Sequence, residues 1–75
     1  MKIRIEYCTA RNYTPKAVSL ADKILENLKT RVASLELIPS GGGVFEVFKD
    51  GEKIFSKKQQ GRFPEWSEIR RSLEG

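Results

Sequence analysis

The chain has 75 residues, which excludes two self-supporting domains, because a core of this size already buries only about 60% of the surface exposed by the unfolded chain. A hydrophobic fraction of 39% with Phe, Tyr and Trp all present argues against disorder. The formal charge of +4, from 14 Lys and Arg against 10 Asp and Glu, favours anionic partners without naming one, and is also an ordinary charge for a solvated surface.

The single cysteine rules out an internal disulfide and makes a reducing cytoplasm the expected setting. No apolar run approaches the roughly 18 residues of a membrane span, and the amino terminus lacks the apolar core of a signal peptide. The expectation is a soluble, unprocessed protein without a membrane partner.

Ile3, Ile5 and Tyr7 alternate with Lys2, Arg4 and Glu6, the period of a first strand with one buried face. Thr14 is placed to cap a helix with Pro15 at its first position, and Ala17, Leu20, Ala21, Ile24 and Leu28 recur at helical spacing to about Lys29. Val32 to Ile38 reads as a second strand, ended by Pro39-Ser40 and the run Gly41-Gly42-Gly43. A strand, helix, strand order predicts a right-handed parallel crossover. Val44 to Lys49 and Glu52 to Lys57 flank Asp50-Gly51, a strong hairpin signal because both residues tolerate positive φ. Pro64 opens a last helix with Glu65 and Glu68 in its first turn, Trp66, Ile69 and Leu73 on one face, and Arg70 and Arg71 near its end. The fold class is α/β: a βαβββα two-layer sandwich with a four-stranded mixed sheet and two helices, in one domain over residues 1–75.

This topology brings several loop ends to one edge of the sheet. Cys8 and Arg11, the Ser40 to Gly43 loop and the segment Lys57-Lys58-Gln59-Gln60-Gly61-Arg62-Phe63 converge there. A cation, or the free N–H groups opening the helix at Pro15, would stabilise the thiolate and lower the Cys8 pKa from about 8.5. A buried, inert thiol is the competing reading, common for unpaired cysteines. Lys57, Lys58 and Arg62 are candidates to bind phosphate or carboxylate, against the alternative of a solvated charged loop. The glycine run carries no phosphate-loop or dinucleotide fingerprint and reads as a flexible turn.

Pairing across Asp50-Gly51 would put Phe45, Val47 and Ile54 on one face of the hairpin, and Val44, Phe48 and Phe55 on the other. With both helices on one face, Phe48 and Phe55 would form an exposed patch suited to a protein partner or a homodimer. Cover by the stems of Lys53 and Lys57 is the alternative.

The stretch Tyr7-Cys8-Thr9-Ala10-Arg11-Asn12-Tyr13-Thr14-Pro15-Lys16-Ala17 resembles the selenoprotein W-like, or Rdx, family of thioredoxin-like proteins, where Tyr-Cys-x-x-(Cys or selenocysteine)-x-Tyr-x-Pro-x-Ala leads into the first helix. A second block, from Gly43-Val44-Phe45-Glu46-Val47-Phe48 through Asp50-Gly51 and Ile54-Phe55-Ser56-Lys57-Lys58 to Gly61-Arg62-Phe63-Pro64, supports the resemblance. It implies a thioredoxin-like fold, a role in thiol redox balance, glutathione or a protein thiol as co-substrate, and no metal or resident cofactor. Cys8 matches the family's first cysteine. Arg11 stands where the family has its second cysteine or selenocysteine, which removes the intramolecular disulfide or selenenylsulfide step.

What this leaves is a monothiol mechanism in which Cys8 forms a mixed disulfide and Arg11 stabilises the thiolate or docks a carboxylate. The alternative is a binding module that kept the fold and lost the redox pair, docking a protein through the hairpin face and the basic loop. Nucleic-acid binding is the weakest reading, since no aromatic–basic motif of a known module is present.

Overall fold

A computed structural model describes residues 1–75. The strands are β1 (Lys2–Cys8), β2 (Ser34–Ser40), β3 (Phe45–Lys49) and β4 (Glu52–Ser56). The helices are α1 (Thr14–Leu28), α2 (Lys57–Gln60) and α3 (Trp66–Glu74), with a single 3-10 turn over Lys29–Arg31. They form a mixed α/β sandwich whose sheet order is β2-β1-β3-β4. β1 runs parallel to β2 and antiparallel to β3, and β3 runs antiparallel to β4.

The alternation in β1 sends Ile3, Ile5 and Tyr7 to one face, where Phe45, Val47 and Phe55 join them. Ala17, Leu20, Ala21, Ile24 and Leu28 of α1 and Ile69 and Leu73 of α3 close over that face. The core is therefore one cluster under two helices. The other face is charged: Arg4 pairs with Glu6 at 3.2 Å and Lys53 with Glu46 at 3.3 Å. Glu6 stands directly opposite Glu46 in register, so each carboxylate's own cation offsets a like-charge cross-strand contact.

Several predicted boundaries shift, each for a local reason. Thr14 is the first helical residue, and Tyr13 occupies the cap position without a side-chain bond. β2 continues through Pro39, which is tolerated because β2 is an edge strand that pairs only with β1. β4 stops at Ser56, and Lys57 opens a third, short helix: Ser56 Oγ accepts from the Gln59 N–H at 3.4 Å, and Gly61 ends the turn at φ 72°. α3 begins at Trp66, two residues after Pro64, with Glu65 as its cap residue donating its N–H to the Glu68 carboxylate at 2.9 Å.

The largest correction concerns the hairpin. A bulge between Val47 and Phe48 makes Val47 face Phe55 and Phe48 face Lys53, leaving Ile54 as the extra residue. Phe55 is therefore in the core at 5% exposure, and the predicted Phe48–Phe55 patch does not form. Phe48 stays on the open face, half-buried beneath Arg4, whose Cζ lies 4.1 Å from the ring centroid, with Lys53 Nζ at 5.8 Å. No helix is long and apolar enough to cross a membrane.

Candidate functional site

Cys8 ends β1, where the chain leaves the sheet in a tight turn. Its N–H donates to Val44 O at 2.9 Å, the Thr9 N–H to Ser40 O at 3.0 Å and the Asn12 N–H to Thr9 O at 3.0 Å. The turn closes with the Tyr13 N–H donating to Cys8 O at 3.2 Å, after Asn12 has taken a left-handed φ of 57°. These bonds lock the last strand residue to the loops after β1 and β2. The thiol sits beneath them, the residue being 1% exposed.

Burial acts to raise the Cys8 pKa and is the largest single influence. Against it, the nearby backbone N–H groups of Gly43, Arg11 and Ala10 act to lower it, and the positive charge of Arg11 adds a smaller effect in the same direction. The net result is a pKa below the ordinary thiol value. The main activating groups are thus main-chain donors from two loops, and only one of them was marked in advance by a side chain, that of Arg11.

Gly43 explains how Arg11 comes so close. Its φ is 71°, and a Cβ placed on it would lie 3.1 Å from Arg11 Cζ, so the guanidinium rests against bare backbone. Lys58 approaches the same loop, its Nζ 3.8 Å from where a Gly42 Cβ would be. The structure therefore brings Cys8, Arg11, the glycine loop and Lys58 together.

Lys57 and Arg62 go elsewhere. Lys57 Nζ stands 5.6 Å from the Tyr13 ring centroid and 5.3 Å from that of Phe63. Arg62 makes a two-point pair with Glu68, at 2.6 and 3.1 Å, and donates to Phe63 O at 3.1 Å. That pair and the Glu65 N–H hold the Glu68 carboxyl down at about 2. Phe48 and Phe55 are both remote from this edge in role: one lies on the open sheet face and the other in the core.

Sequence reasoning missed the aromatic group beside the loop. Phe63 packs edge-on to Tyr13 at 4.8 Å and to Phe45 at 5.3 Å, and Lys16 Nζ lies 5.0 Å from the Phe63 centroid. The only advance signal was the Gly61-Arg62-Phe63-Pro64 string, which has no periodicity to place it. Nowhere do three or more His, Cys, Asp or Glu gather in a way that could hold a metal ion.

Residues 2–74 match the Rdx family model. Selenoprotein W of Ovis aries is 37% identical over 57 residues, covering 75% of this chain and 66% of that protein, so the chain spans just under two thirds of that relative's length. The crystal structure of a selenoprotein W-related protein from Vibrio cholerae superposes with a TM-score of 0.94 at 30% identity, covering 97% of this chain and 91% of the other. A Bordetella parapertussis crystal structure gives a TM-score of 0.94 at 26% identity, with 97% and 92% covered. With the fold shared and residues 2–74 matched by the family model, this chain belongs to the Rdx family of selenoprotein W-like proteins.

Proposed function

We propose that this chain is a monothiol redox protein acting through Cys8 in a reducing, cytoplasmic setting. The observation that carries the reading is the placement of Cys8 in the turn after β1, with Arg11 resting against Gly43 beside it and the thiol pKa below its ordinary value despite burial. The family's association with thiol redox chemistry points the same way.

In the reaction, the Cys8 thiolate attacks one sulfur of an external disulfide, such as glutathione disulfide. A sulfur–sulfur bond forms to Cys8, the external bond breaks, and the other half leaves as a thiolate. A second external thiolate then attacks the partner's sulfur in the mixed disulfide and returns Cys8 as a thiolate. Arg11, standing in place of a second chalcogen, stabilises the charge on Cys8 and supplies no resolving sulfur. Because Cys8 is 1% exposed, the rate depends on opening of the Thr9–Asn12 turn as well as on the fraction ionised.

Incubation of folded protein with glutathione disulfide, followed by intact-mass measurement, is expected to show one added glutathione, reversed by excess thiol and absent in Cys8→Ser. No adduct on the folded chain, with ready reaction after unfolding, overturns the proposal. That second outcome would favour a binding module that retains the fold without redox chemistry, a reading supported by the burial of Cys8. Unchanged cellular function of Cys8→Ser would carry it further.

A further inference from the structure

Beside Phe63, between α1 and the segment entering α3, lies a surface cavity of about 170 Å³. Leu20, Phe45, Phe63 and Trp66 form its apolar walls, and the exposed Lys16 and Lys23 line it as well. Pockets for nucleotide- or drug-sized ligands hold about 300–1,000 Å³, whereas an apolar cavity of about 150 Å³ takes a benzene ring. One aromatic or branched aliphatic group fills a space of this size.

Charge defines what surrounds that group. The ion pairs of the molecule engage Arg4, Arg31, Lys53, Arg62 and Arg70. Lys16 and Lys23 at the cavity have no carboxylate partner, and neither does Lys57, which shares the Phe63 ring with Lys16. Arg11 and Lys58, also unpaired, extend the positive surface to the Gly42–Gly43 turn.

We propose that this cavity seats one aromatic or aliphatic side chain of an acidic protein segment whose flanking carboxylates meet Lys16, Lys23 and Lys57. A small aromatic acid filling the cavity would meet only the two lysines that line it, leaving Lys57, Lys58 and Arg11 unmatched. An extended segment advances about 3.3 Å per residue and can follow the cations outward from its anchor. The inference goes beyond the redox reading, because binding here needs no reaction at Cys8. It can therefore be tested on a Cys8→Ser chain, where its failure and the failure of the thiol chemistry are separate results.

Trp66 is the only tryptophan and forms a wall of the cavity, so its fluorescence reports occupancy directly. The probe is a capped heptapeptide with three acidic residues on each side of one phenylalanine, titrated into the Cys8→Ser chain at low salt. A saturable change is expected, weakened about tenfold in Lys16→Glu/Lys23→Glu and by added salt. Ser19→Phe, which lines the cavity from an exposed helix position, should occlude it without altering charge. Circular dichroism checks that each variant retains the fold. No saturable change with the parent chain overturns the proposal, as does equal binding of a peptide with serine in place of phenylalanine. Equal affinity for phenylacetate would make this a small-molecule site, and tighter binding of single-stranded oligothymidylate would make it a nucleic-acid surface. Either result also overturns it.

Discussion

Arg11 and Arg62 are both exposed arginines in connecting segments, and the molecule uses them in opposite ways. Arg62 is held by two bonds to Glu68, with its Cζ 5.7 Å from the Phe55 ring centroid, so its charge is neutralised where it stands. Arg11 has no carboxylate partner; its guanidinium lies against Gly43, and its N–H and its charge both act on Cys8. The contrast shows that a basic residue counts toward a site only when its charge is not already matched. Arg62 belongs to the scaffold that sets Phe63 in place, and Arg11 belongs to the thiol.

The largest effect that would sharpen this contrast lies beneath Arg62. Phe55→Ala empties a core position that is 5% exposed and should cost about 3–5 kcal/mol in chemical denaturation. Phe48→Ala, on the half-buried open face, should cost less than half as much. Equal losses would mean that the bulged register is wrong.

Gly43→Ala comes next. At φ 71° an L side chain costs about 1–2 kcal/mol, and the new Cβ would press on Arg11, which can swing away. Stability should fall by that amount and the Cys8 pKa should rise as Arg11 leaves, read from the pH dependence of alkylation. Arg11→Ala should alter stability by no more than about 0.5 kcal/mol and still raise the thiol pKa. The rise is modest, because the Arg11 charge contributes less than the backbone donors, which remain. Arg62→Ala should leave alkylation unchanged. If it slows alkylation as much as Arg11→Ala, the division of roles between the two arginines fails.

Periodicity and turn chemistry made most of the frame legible. Ile3, Ile5 and Tyr7 marked the buried face of β1, the Ala17 to Leu28 spacing marked α1, and Asp50-Gly51 marked the hairpin. From these the meeting of Cys8, Arg11 and the glycine loop followed, since parallel β1 and β2 must end at the same edge. The bulge was illegible because one added residue restarts the alternation, and Val44 to Lys57 reads equally well with or without it. α2 was hidden because Lys57-Lys58-Gln59-Gln60 has no apolar period, its only signals being the cap residues Ser56 and Gly61. The Arg62–Glu68 pair spans six residues across a bend, outside any helical spacing rule. Most of the activation of Cys8 comes from main-chain N–H groups, which every residue but proline carries and no composition reveals.

The smallest effect isolates the Arg62 side of the comparison. Glu68 has its pKa lowered to about 2 from an ordinary 4.5, chiefly by the hydrogen bond from Arg62 and then by the Glu65 N–H. A carboxylate depressed in the folded state stabilises the fold fully above its unfolded pKa, and that contribution drains away as pH falls from about 4.5 through about 2. Glu68→Gln keeps an oxygen able to accept from the Glu65 N–H and loses the charge. It should therefore be less stable than the parent chain at neutral pH, and the two stabilities should converge as the pH approaches 2. With Arg62 47% exposed, water screens the pair, so the neutral-pH loss should be smaller than that of Gly43→Ala and should shrink further in salt. A gap between the chains that persists unchanged below pH 2 would mean that Glu68 acts through packing rather than charge. Arg62 would then lose the electrostatic role that distinguishes it from Arg11.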